Sequence, residues 1–222
     1  LDRQYFLARG ARAESLDDIR IQETAEGITV QTGPAQYVFP KGAACFDSVR
    51  LDLNRNGKFE EDEALVSGAR GAFYVVDSKG RRGVLQETKL AVESNGKRHA
   101  VIRVAGEYQI ESGESNAAGV VYFHFYAGHS MARVSHKFIV TQNTNQLWFR
   151  DIGMQVPVGL AGEATASVNS DHEKPQSIFT QKLAPGKDLV MLQDDFPHFG
   201  SMASHFSILS SVGGGAAPAT PT

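Results

Sequence analysis

A chain of 222 residues, 41% hydrophobic and 21% charged, can bury a sizeable core as one large β domain or two smaller ones. Its formal net charge of −3 excludes polyanion binding through bulk charge, so nucleic acid is not an expected partner and an acidic ligand needs a local patch. The lone Cys45 excludes an internal disulfide, and no apolar run approaches the ~20 residues that span a membrane.

In chain order, residues 1–19 ("LDRQYFLARGARAESLDDI") read as a linker or the end of a preceding domain. They are charged throughout and unlike a signal peptide, so export would imply a leader already removed or a longer parent chain. "IRIQETAEGITVQTGPAQYVFPK" then gives three short strands broken at "EGI" and "TGP". "FDSVRLDL", "GAFYVVDSKGRRG", "ETKLAVESNGKRHAVIRVAGEYQI", "GVVYFHFYAGHSMARVSHKFIVT" and "LWFRDIGMQVPV" follow, with turn formers SKG, SNGK and AGHS between alternating runs. The best helical candidate, "FEEDEALVSGA", is short and interrupted by Gly. Ten or more strands at short spacing predict an all-β fold, an antiparallel β-sandwich over 20–209. The Gly/Ala/Pro/Thr-rich segment 210–222 reads as a tail or tether to another domain.

Between the fourth and fifth strand signals lies "DLNRNGKFEEDE". Asp52, Asn54, Asn56, Gly57 and Glu63 match the spacing of a calcium loop, with the Lys58 carbonyl as a further ligand. Calcium favours six to eight hard oxygens; with two neutral Asn among the ligands, affinity should be modest. The competing reading is a hairpin, with Asn56-Gly57 as a two-residue turn and 60–63 as a solvated acidic edge.

Segment 119–140 predicts a hairpin centred on Gly128-His129. Phe125 then lies opposite Ala132, Phe123 opposite Val134 and Val121 opposite His136, forming a core face. The other face carries Tyr122, His124 and Tyr126, opposite Ser135, Arg133 and Met131. Aromatic rings stack on the C–H faces of pyranoses, while His and Arg bond hydroxyls and uronate carboxylates. Tyr122, His124, Tyr126 and Arg133 are therefore the candidate sugar-binding residues, the competing reading being inter-sheet filler under a second layer. A one-residue slip would exchange the two faces. His124, His129 and His136 scatter over two faces and a turn, so a shared zinc site is not expected. His172, His198 and His205 could supply a base, but nothing selects one. Trp148 is expected in the core. No nucleophile, P-loop or dinucleotide motif is present.

The order of "ITVQTGPAQYVFPKGAACFDSVRLDLNRNGKFEEDEALV", "RHAVIRVAGEY", "VVYFHFYAGHSMARVSHKFI" and "LWFRDIGMQVPV" resembles the central β-sandwich of bacterial exo-acting rhamnogalacturonan lyases, over about residues 20–160. That resemblance implies a galactose-mutarotase-like supersandwich flanked by other domains of a longer chain. It further implies a secreted or periplasmic bacterial protein whose partner is an acidic, pectin-like polysaccharide, cleaved by β-elimination. Catalytic residues remain unassigned, because none matches a motif. The alternative expectation is a non-catalytic carbohydrate-binding or structural β module with a calcium-stabilised loop.

Overall fold

The alternating segments become strands, in a computed structural model that describes residues 18–67, 72–160, 162–169, 178–183, 189–193, 206–211 and 216–218. Strands β1 (Arg20–Glu23), β2 (Gly27–Gln31), β3 (Ala35–Pro40), β4 (Ser48–Leu51) and β5 (Ala64–Val66) form a five-stranded antiparallel meander in chain order. Burial alternates strictly along β2 and β3, the period-2 signature of a sheet with one covered face.

The larger sheet comprises β6 (Ala72–Asp77), β7 (Arg82–Asn95), β8 (His99–Gln109), β9 (Ser115–Tyr126), β10 (Ala132–Val140) and β11 (Phe149–Gln155). All pairs are antiparallel, in the order β10-β9-β8-β7-β6-β11. Strands β6 to β10 run as a second meander, and residues 141–148 then cross from one edge of the sheet to the other. Register shifts after Gln86 and Val92 mark irregularities in the long β7–β8 pair, the kind that increase local bend and twist.

One apolar core joins the two sheets. Tyr37 and Phe39 of β3 meet Phe125 and Phe123 of β9, with ring centroids 4.9 Å and 5.0 Å apart. Phe46 stands edge-on to both β3 rings at 5.6 Å and 5.9 Å. Full burial of a large apolar side chain contributes about 1.5–3 kcal/mol, so this aromatic cluster is a main source of cohesion. Polar ties fix the alignment: Thr32 Oγ1 donates to the His129 carbonyl and Tyr37 Oη to the Ser130 carbonyl, both at 2.6 Å, pinning the β9–β10 turn to the smaller sheet. Burial pushes the Tyr37 hydroxyl and the Cys45 thiol each up to about 12.

Residues from Leu160 onward form a second compact unit. It contains the hairpin β12 (Ala164–Asn169) with β13 (Ile178–Leu183), and a three-stranded sheet of β14 (Leu189–Gln193), β15 (Phe206–Ser211) and β16 (Ala216–Pro218). Within the segment expected as a tail, Ala216–Pro218 thus pairs with β15. Residues 1–17, and with them most of the expected leading linker, lie outside the described residues, as do His172, His198 and His205.

Among the described residues the helical element is a 3-10 turn at Glu61–Glu63, and no helix is long and apolar enough to cross a membrane. Trp148 departs from expectation. It is 57% exposed, whereas its neighbour Leu147 is buried. The crossing segment is anchored by Leu147 and by the Trp148 carbonyl, which accepts from the Ser78 N–H at 2.7 Å, and the indole is left outside.

Candidate functional site

The β9–β10 register is the one the alternation predicts. Phe125 pairs with Ala132, His124 with Arg133, Phe123 with Val134, Tyr122 with Ser135 and Val121 with His136. Val121, Phe123 and Phe125 are wholly buried, which sends Tyr122, His124 and Tyr126 to the outer face.

On that face the strand brings its neighbours' side chains alongside. His99 of β8 pairs with Tyr126, and Arg103 of β8 pairs with Tyr122. The His99 ring stacks on Tyr126 at 4.9 Å and nearly parallel to His124 at 5.4 Å, with His99 Nε2 and His124 Nδ1 3.2 Å apart. Lys137 Nζ sits 4.9 Å over the Tyr122 ring, a cation–π contact. The outcome is a ring ladder, Tyr122–His124–His99–Tyr126, bordered by Arg103, Arg133 and Lys137. Burial lowers the pKa of His124, helped by the charges of His99 and Arg133, and so favours a neutral imidazole. Such a surface can stack against sugar rings, bond hydroxyls and pair with carboxylates. Sequence reading missed His99, Arg103 and Lys137, because their place depends on cross-strand and diagonal neighbours.

A second aromatic–cation pair occupies another corner of this face. Arg82 lies 4.1 Å from the centre of the Tyr74 ring and donates to Gln155 Oε1 at 2.6 Å. Tyr74 Oη donates to Asp151 Oδ2 at 3.0 Å, and that bond raises the phenol's pKa above its ordinary value.

The remaining histidines of the hairpin stand apart. His129 lies at the turn, and His136 faces inward, with Nε2 2.7 Å from the hydroxyl of the fully buried Tyr108.

The loop 52–63 connects β4 to β5 and does not close as a two-residue turn. Asn56-Gly57 lies midway along it, with Arg55 at φ 61° and Gly57 at φ 76°. Asp52 accepts from the N–H of Asn56 at 3.0 Å and of Gly57 at 2.9 Å, so the chain wraps around its carboxylate. Asn54 Oδ1 accepts from Asn56 N–H, and Asn56 Oδ1 from Lys58 N–H. Glu63 is buried, and its carboxylate accepts from the N–H of Leu53, Asn54 and Glu60. Glu60 accepts from both Asn side-chain amides.

Asp52, Asn54, Asn56, Glu60 and Glu63 with the Lys58 carbonyl are oxygen donors of the kind a hard cation takes, but the side chains are turned to the loop's own N–H groups, Glu63 Oε1 and Glu60 Oε2 each accepting two hydrogen bonds. The sequence pattern did not single out Glu60. Among the described residues no three His, Cys, Asp or Glu side chains gather as a metal cluster, the loop's Asp52, Glu60 and Glu63 included.

No curated protein matches the chain. A family model does: that of the PcRGLX-like protein central beta sandwich domain, over residues 19–190. The match spans most of the chain and contains β1 to β13. With its two facing antiparallel sheets, this chain belongs to the family of PcRGLX-like protein central β-sandwich domains.

Proposed function

We propose that this chain is the β-sandwich part of an exported polysaccharide lyase acting on a pectin-like uronate polymer, and that the outer face of β8–β10 forms one wall of its sugar cleft. A central domain implies other domains in the same protein, and these would complete the cleft. The supersandwich architecture of such lyases is part of this reading. The single observation that carries it is the ring ladder Tyr122–His124–His99–Tyr126 beside Arg103, Arg133 and Lys137 on a solvent-facing sheet.

β-Elimination requires a base to take the proton α to a uronate carboxylate, an acid to protonate the leaving oxygen, and a cation to neutralise the carboxylate. Arg133 is exposed and able to pair with a carboxylate, and a neutral His124 can accept a hydrogen bond or a proton. The loop 52–63 takes calcium in this proposal, with Asp52, Asn54, Asn56, Lys58 and Glu63 as ligands and Glu60 as the addition the geometry suggests. The ion would stiffen the β4–β5 connection.

Affinity electrophoresis of the whole chain through gels containing rhamnogalacturonan or polygalacturonate tests the wall. Retardation is expected, and it should fall sharply in the Tyr122→Ala/Arg133→Ala double variant. Absence of retardation on every uronate polymer would sink the reading. Appearance of an ultraviolet-absorbing unsaturated product reports whether the chain alone performs elimination.

A binding-only module is the second reading, favoured by one observation. The hydrogen-bonded Tyr–His pair Tyr108–His136 faces inward with Tyr108 wholly buried, away from the outer face. Retardation without unsaturated product would select it.

A further inference from the structure

At one end of the larger sheet the connections 78–81, 110–114 and 141–147 border an open-sided cavity of about 460 Å³. Its lining includes Asn116, the residue left over at a bulge in which Tyr108 pairs with Ala117 and Gln109 with Ser115. Asn116 is 2% exposed, and neither Oδ1 nor Nδ2 has a hydrogen-bond partner among the described residues. An unsatisfied buried polar group costs about 1–3 kcal/mol, so such a side chain calls for a ligand-side explanation. Gly83 keeps the space beside it clear: a Cβ there would stand 3.0 Å from Asn116 Oδ1.

The walls are polar, with Lys79, Arg81, Glu114, Gln142 and Gln146 among them. The volume falls within the roughly 300–1,000 Å³ of small-molecule sites. Two more cavities, of about 500 Å³ and 340 Å³, continue around the 110–114 turn and share walls at Ile110, Glu111 and Arg82.

Charge narrows the occupant. The cavity's cations Lys79 and Arg81 are balanced in number by Glu114 in its wall and by Asp77 behind it, both carboxylates holding Arg81, at 3.4 Å and 2.8 Å. The cavity therefore carries no net charge to draw in a carboxylate, in contrast to the outer face with Arg103, Arg133 and Lys137. A side-chain amide offers a donor and an acceptor side by side, the complement of two neighbouring hydroxyls. We propose that this cavity binds a neutral, hydroxyl-bearing sugar residue through Asn116. The inference rests on the carbohydrate reading above and deepens it, assigning neutral residues to the loop end and uronates to the outer face.

The test is a titration of the whole chain with methyl rhamnoside, methyl galactoside and methyl galacturonide, followed in ¹H–¹⁵N correlation spectra. The expected result is a saturable shift of the Asn116 side-chain amide and of the Glu114 and Gln142 backbone amides with a neutral glycoside, and a weaker response to the uronide. Asn116→Ala should weaken binding at least tenfold. If that variant does not fold, Gln142→Ala on the exposed rim should weaken it severalfold with the fold intact. Unchanged affinity in the variants, preference for the uronide, or an Asn116 amide that contacts only a long-lived water would overturn the proposal. Retardation on uronate polymers that persists in Asn116→Ala, with no glycoside response, removes the cavity site and leaves the outer-face reading standing. Loss of both removes the carbohydrate reading itself.

Discussion

Tyr108 Oη and His136 Nε2 stand 2.7 Å apart on the inward face of the larger sheet, the tyrosine wholly buried and the histidine half-buried. Burial holds the His136 pKa below its ordinary value and raises that of the phenol. In the unfolded chain the imidazole titrates near about 6.5. As pH falls through that value, the unfolded state takes up a proton that the folded state resists, so stability declines; above it the group contributes nothing to the slope. His124 acts in the same direction. The melting temperature should be flat above about pH 7 and fall towards about pH 5, before carboxylates titrate. His136→Gln should flatten part of that slope, as measured by thermal unfolding across the pH range.

Asp77 caps the turn between β6 and β7. Its buried carboxylate accepts from Lys79 N–H, Arg81 N–H and Arg81 Nε, each within 2.9 Å. Burial alone would raise its pKa, but these hydrogen bonds and the guanidinium charge outweigh burial and lower it. Its stabilisation is therefore present above the ordinary carboxylate range and lost as pH falls through the depressed folded value. Asp77→Ala should cost roughly 2–3 kcal/mol in urea unfolding, the half-exposed Arg81 moderating the loss.

Cys45 is wholly buried, and its thiol is pushed up to about 12. The thiolate is the reactive form, so an aromatic disulfide reagent should leave the native chain unmodified and label it fully in denaturant. Rapid labelling under native conditions would contradict the packing described for the β3–β4 connection.

Calcium added to chelator-treated protein should raise the melting temperature. An ion at one hundred times its Kd adds about 2.7 kcal/mol. Because Glu63 also accepts from Leu53, Asn54 and Glu60 N–H, its replacement lowers stability with or without the ion. The informative quantity is the calcium-dependent increment, which Glu63→Gln and Asp52→Asn should each abolish. An increment that survives in both variants places the ion elsewhere.

The sequence disclosed the hairpin 119–140 well, because strict alternation and one short turn leave only one register that buries Val121, Phe123 and Phe125. The same logic placed Tyr122, His124, Tyr126 and Arg133 on the outer face. It could not reveal His99 above His124, since the β8–β9 pairing contains a bulge that no local pattern announces. Asn116 was hidden for that reason too, being the residue the bulge leaves over. Trp148 was misjudged because average burial says little about a side chain on a crossing segment whose anchor is the preceding Leu147. In loop 52–63 the spacing was plain, but the bonds from the Asn54 and Asn56 side-chain amides to Glu60, at the start of the single turn Glu61–Glu63, depend on how the loop folds back.

The passage of residues 141–148 from one edge of the larger sheet to the other has a temporal meaning. Every other neighbour pair in that sheet is a sequential hairpin, able to form soon after its residues are made. Strand β11 must instead find β6, whose partner residues lie far back in the chain, as in the pairing of Gln155 with Ala72. Closure of that edge is expected to come late, and Gln142, Gln146 and Leu147 reach the cavity wall on the same segment. A nascent chain would thus hold a nearly finished scaffold before it possesses the cavity, so the Asn116 pocket itself would report that assembly is complete.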